Sequence, residues 1–155
     1  MGLDMYLTRE TYIGAEFSHR QIDGTIFITK EGARVPINFN QISEIIESVA
    51  YWRKANAIHK WFVDNVQNGT DDCGKYRVTV DQLKQLVKAC KDILKDHSKA
   101  GELLPPQGGF FFGSTEIDEW YFEDLKSTVK QLTPVIKECS SDDNFDTTLY
   151  YQSSW

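Results

Sequence analysis

Leu3, Met5 and Leu7 alternate with Asp4 and Tyr6, the period-two pattern of a half-buried strand over residues 3–8. Residues 25–30 and 34–39 are two further β-rich runs, and Glu31-Gly32-Ala33 between them predicts a hairpin with Gly32 free to take positive φ. Pro36 removes one ladder donor, so its arm is expected at an edge. Over residues 41–67 the spacing of Ile45, Val49, Trp52, Val63 and Val66 predicts one long helix with a core-facing stripe, ended by Asn68-Gly69. Residues 75–80 read as a short strand. Thr79 and Gln82 have capping-box spacing and open a helix over 82–97.

The run Pro105-Pro106-Gln107-Gly108-Gly109 is a loop, and Phe110-Phe111-Phe112 reads as a buried strand or aromatic plug. Ser114 or Thr115 is expected to cap a third helix, with Glu116, Asp118 and Glu119 in its first turn, where the macrodipole favours acids. Pro134 should kink or end that helix, and residues 140–147 read as a polar loop. The aromatic run ending in Tyr150-Tyr151-Gln152-Ser153-Ser154-Trp155 is expected in the sheet beside residues 3–8. The sum is one domain over residues 1–155, of the α+β class: an antiparallel sheet with N- and C-terminal strands, packed by about three helices.

Length and composition fit that reading. A chain of 155 residues can bury a core, and 41% hydrophobic with 26% charged residues is globular rather than disordered. The net charge of −6 gives no overall footprint for nucleic acid, and no direct nucleic-acid contact is expected. An acidic surface can still compete with nucleic acid for a basic protein. Cys73, Cys90 and Cys139 are odd in number and form no C-x-x-C pair, which fits a reducing compartment. His19, His59 and His97 have no ligand spacing, so neither metal nor cofactor is expected. The opening residues lack a basic and an apolar region, which predicts no signal peptide, and no run approaches the length of a membrane span.

Candidate chemistry concentrates on the expected helix 41–67. On its wheel Asn56 and His59 fall within the apolar stripe, and Arg53 and Lys60 on its flank. A buried amide and imidazole each cost about 1–3 kcal/mol if unpaired. In the plain reading they bond sheet carbonyls, and the cations pair with Asp71, Asp72 or Glu119. In the functional reading Trp52, Arg53, Asn56, His59, Lys60 and the C-terminal Tyr151 line a helix–sheet cleft. Two cations, an amide and an aromatic wall suit a small anionic, nucleotide-like ligand.

Other signals are weaker. Gly113-Ser114-Thr115 at a helix start could hold phosphate, but the acids that follow would repel it. Glu116, Asp118, Glu119, Glu123 and Asp124 form an acidic face that is either merely solvated or a docking surface for a basic protein. His59 beside Asp71 or Asp72 is the basis for a third reading, a small hydrolase with His59 as general base. No phosphate-binding loop, nucleophile elbow or metalloprotease motif is present in the sequence, and no catalytic residue is assigned.

The string Tyr51-Trp52-Arg53-Lys54-Ala55-Asn56-Ala57-Ile58-His59-Lys60-Trp61-Phe62 resembles a group of small proteins encoded by phages and prophages. So do the opening Met1-Gly2-Leu3-Asp4-Met5-Tyr6-Leu7, the segment Phe110-Phe111-Phe112-Gly113-Ser114 and the closing Tyr150-Tyr151-Gln152-Ser153-Ser154-Trp155. The resemblance implies a host bacterial cytoplasm and an accessory, counter-defence role, by nucleotide sequestration or by blocking a host defence protein as anti-CRISPR proteins do. It implies no residue roles.

Overall fold

The computed structural model describes residues 2–14, 17–20, 25–140 and 146–155. The expected loop at 140–147 lies largely outside the described residues.

A four-stranded antiparallel sheet and the helices packed on it form the body. Strand β1 (Asp4–Tyr12) pairs with β4 (Glu44–Arg53) on one side and β6 (Thr147–Ser154) on the other, and β5 (Tyr76–Val78) flanks β6. The order is therefore β4-β1-β6-β5, all antiparallel. The C-terminal run is central, paired to β1 from Asp4↔Ser154 to Thr11↔Thr147. The remaining strands, β2 (Ile26–Lys30) and β3 (Ala33–Ile37), make the expected hairpin, a separate two-stranded sheet that leaves Phe27, Ile28 and Val35 exposed.

Alternation sorts the sheet into two faces. Met5 sits between Trp52 and Ser153, Leu7 between Ala50 and Tyr151, and Val78 opposite Leu149. All of these are buried. Tyr6, Tyr51 and Gln152 share the opposite face and are exposed. The buried face is covered by α1 (Asn56–Asn65), α2 (Val80–Lys95), the single turn α3 (Ala100–Leu103) and α4 (Glu119–Cys139), through Ile58, Phe62, Leu83, Leu86, Ile93, Leu125 and Leu132. This is the α+β layer expected from the sequence.

One expectation fails at the centre of the molecule. The helix over 41–67 is in fact strand β4 followed by helix α1. Ile45, Ile46, Val49, Tyr51 and Trp52 are β-branched or aromatic and prefer a pleated surface, and pairing with β1 outweighs the helical spacing. Lys54 makes the break. It adopts φ 58°, a left-handed conformation costing on the order of 1 kcal/mol or more for a non-glycine residue. Its N–H donates to Leu3 at 2.8 Å and its carbonyl accepts from Asn56 N–H at 2.8 Å, so the chain turns from sheet into helix within three residues.

The other differences are local. The capping box at Thr79 and Gln82 forms as expected, although α2 begins and ends two residues earlier. Helix α4 starts at Glu119 with Asp118 as its cap, accepting from Tyr121 N–H at 3.1 Å; Ser114 only closes a turn onto Glu116 N–H. Pro134 lies inside α4 without ending it, because Leu132 and Val135 anchor the helix in the core on both sides. Phe110 is 95% exposed, and only Phe112 of the three phenylalanines is buried.

Candidate functional site

The residues singled out on the expected helix fall into separate settings: Arg53 and Asn56 line one cleft, while Trp52, His59 and Lys60 do not line it. Trp52 faces the core from β4, its indole N–H donating to Thr128 Oγ1 at 2.9 Å. Asn56 is buried and saturated. Its amide donates to the carbonyls of Ser114 (2.7 Å) and Phe112 (3.1 Å) and accepts from Gln107 N–H (3.2 Å). Lys60 pairs along α1 with Asp64. Arg53 is exposed and lines a cleft at the head of α1, as Asn56 also does. The single cleft of Arg53, Asn56, His59 and Lys60 does not exist, because half of the wheel on which it was drawn is a strand.

His59 belongs to a buried relay instead. Its ring is fully buried, with Nδ1 at 2.7 Å from the Tyr151 hydroxyl and Nε2 at 3.0 Å from Asp71. A carboxylate accepts, so Nε2–H donates to Asp71, and in the neutral ring Nδ1 accepts from Tyr151. Asp71 also accepts from the Trp155 indole at 3.1 Å. Tyr151 stacks on Phe62, ring centroids 3.9 Å apart. Burial, then the charge of Asp71, pushes its phenol well above the usual tyrosine range. Both nitrogens of His59 are engaged, and its ring is fully buried. The relay ties the loop after α1 to the central strand β6.

A different cleft is built where β4, α1 and α4 meet, with a volume of about 400 Å³. One wall is the β4–α1 turn, which brings Arg53, Lys54 and the first turn of α1. The other is the approach to α4 and its first turns, bringing Glu116, Asp118, Trp120 and Asp124. Asn56 sets the spacing by pinning Phe112 and Ser114 to the head of α1. Gly113 sits between them at φ 87°, where an added Cβ would lie 3.4 Å from the Lys54 side chain; its backbone conformation and this close approach both suit glycine.

The electrostatics of this cleft are divided. The N-cap of α1, Ala55, offers no side-chain cap, and the amides of Ala57 and Ile58 have no hydrogen-bond partner among the described residues. Uncapped first-turn amides carry the positive end of the helix dipole. Arg53 and Lys54 line the same cleft without an ion-pair partner among the described residues, although three carboxylates line it too. Trp120 is 80% exposed. Asp124, half-buried, is pushed up to about 6, first by burial and then by the charge of Asp118. Thus one wall is cationic, the other acidic and aromatic.

Arg53, Glu116 and Asp118 were legible in the sequence as candidates, though in other settings. Glu119 and Glu123 are exposed on the same stretch of α4 but do not line the cleft, and Glu123 pairs with Lys126. The sequence also places Asp124 on the acidic face, but it gives Lys54 and Trp120 no role. Trp120 and Asp124 are four residues apart and share a helix face, and that spacing was the available signal. Among the described residues no group of His, Cys, Asp or Glu could hold a metal ion, and no helix is long and apolar enough to cross a membrane. No family model, curated protein or solved structure matches the chain.

Proposed function

We propose that this chain acts by binding, and that it holds a small anionic, nucleotide-like ligand in the cleft between the heads of α1 and α4. The observation that carries the reading is the cationic wall. Arg53, Lys54 and two first-turn amides of α1 line one cleft, and among the described residues neither cation is ion-paired and neither amide is hydrogen-bonded, the arrangement that recognises phosphate elsewhere. Trp120 supplies an exposed ring for a base to stack on, and about 400 Å³ lies within the range of small-molecule sites. The resemblance to phage-encoded proteins supports counter-defence in a host bacterial cytoplasm as the setting, with sequestration of a signalling nucleotide as the action.

A second reading is favoured by a specific feature. Trp120 stands exposed among Ile117, Glu116, Asp118, Glu119 and Glu123. An exposed tryptophan ringed by acids suits an interface with a basic host protein, as in a protein-blocking inhibitor.

Calorimetric titration of the purified chain with a panel of mono- and dinucleotides tests the first reading. Binding that weakens at least tenfold in Arg53→Ala and Lys54→Ala, with unchanged melting, is the expected result. A panel in which nothing binds overturns it. A host protein captured by wild type and lost on reversal of Glu119 and Glu123 to Lys would establish the second.

A further inference from the structure

We infer that the ligand of this cleft carries a guanine-type edge, and that the Asp124 carboxylate reads it. The inference rests on the binding reading above and adds the identity of the base.

Asp124 is half-buried in the cleft, and its carboxylate has no hydrogen-bond or ion-pair partner among the described residues. A partly desolvated carboxylate without donors is unfavourable, and burial together with Asp118 already raises its affinity for a proton. A ligand that brings N–H donors would relieve both. The position is rigid. The Asp124 carbonyl accepts from Thr128 Oγ1 at 2.7 Å, and that hydroxyl accepts from the Trp52 indole at 2.9 Å, so the turn carrying Asp124 is tied to β4. Trp120, one turn earlier on the same face of α4, lines the same cleft.

The donor pattern then selects the base. An ionised carboxylate only accepts, through two oxygens side by side. Guanine presents two donors side by side, N1–H and the N2 amino group. Adenine and cytosine present one amino donor next to a ring acceptor, and uracil presents one N–H between two carbonyls. With any of these three, the second carboxylate oxygen meets an acceptor, and a buried polar group left unpaired is a strong basis for rejection. A base stacked on Trp120 with its donor edge on Asp124 sends its phosphate toward the opposite wall, where Arg53, Lys54 and the α1 amides lie. The acids of the α4 wall repel phosphate from that end and so fix the ligand's direction.

The test is titration of the full chain near neutral pH with guanosine, inosine and adenosine monophosphates. Inosine lacks the N2 amino group. Guanosine monophosphate should bind tightest, inosine monophosphate less well, and adenosine monophosphate about 10- to 100-fold more weakly, the scale of one bidentate base contact. Asp124→Asn should weaken guanosine monophosphate and strengthen adenosine monophosphate, because an amide offers one acceptor and one donor and matches the adenine edge, whereas Arg53→Ala should weaken all three alike. Equal binding of the guanosine and adenosine compounds, or an Asp124→Asn protein that still prefers guanosine, overturns the guanine assignment and leaves the cleft a nucleotide site. Failure of every nucleotide to bind overturns both. If Asp124→Asn does not fold, the wild-type order of the three ligands decides.

Discussion

The side-chain amide of Gln131 serves as a neighbouring strand for Tyr51: its oxygen accepts from the Tyr51 N–H at 2.9 Å, and its nitrogen donates to the Tyr51 carbonyl at 3.1 Å. Strand β4 is an edge of the sheet, and open edges recruit other strands. Gln131 covers this one from α4. Gln131→Ala should cost roughly 1–3 kcal/mol, the worth of two hydrogen bonds, and should raise self-association. Urea unfolding and light scattering measure the two effects. An unchanged midpoint with no added scattering would show that solvent satisfies the edge equally well.

The buried relay makes a second prediction. Tyr151→Phe keeps the stack on Phe62 but removes the hydroxyl that meets His59 Nδ1. A buried ring nitrogen is then unpaired, at about 1–3 kcal/mol. His59→Ala should cost more, since it orphans Tyr151 and opens a cavity. Denaturant melts of both variants check the order. Tyr151→Phe as stable as wild type would mean that the relay contributes nothing to stability.

Two tryptophans should behave oppositely. Trp52 is in the core, so Trp52→Ala should lose about 3–5 kcal/mol. Trp120 is exposed, so Trp120→Ala should melt close to wild type yet lose nucleotide binding. Parallel melting and titration separate the roles. A Trp120→Ala protein that binds as wild type does would remove the stacking platform from the proposed site.

Asp124 sets a pH dependence whose sign follows from linkage. Its carboxyl is raised in the folded protein to about 6, above its ordinary value near 4 in an unfolded chain. The folded state therefore binds the proton more tightly. From about pH 4 to 6 this group makes stability fall as pH rises, and above about 6 its full cost is present. Asp124→Asn should raise the melting temperature at neutral pH by an amount reduced by partial solvent exposure, and the gain should vanish below about pH 4. Thermal melts across this range measure it. A variant melting below wild type at neutral pH would mean that the carboxylate has a stabilising partner.

Much of the fold was legible because short-range signals sufficed. Alternation marked β1, turn chemistry marked the hairpin, and the capping box marked α2. The site was less legible because its walls come from residues 53–58 and 113–125, which adjacency in sequence does not connect. Residues 41–53 failed for a sharper reason. Ile45, Val49 and Trp52 satisfy helical spacing and β-preference at once, and only pairing with β1, from Thr11 opposite Ile45 to Met5 opposite Trp52, decides between them. His59 illustrates the same limit. The sequence signalled that its buried imidazole needed partners, but one partner, Tyr151, is 92 positions away.

The central place of β6 has a consequence in time. Strand β1 is paired on one flank by β4, but its other flank must wait for residues 147–154. On the ribosome Leu7 emerges long before Tyr151, its partner in the sheet. Until then Met5 and Leu7 have a row of unpaired backbone groups beside them and no Tyr151 ring to close the core. Pairings this distant in sequence fold slowly, and an incomplete sheet with an open flank is prone to capture by other chains. The nascent protein is therefore at its most vulnerable in the interval before β6 arrives.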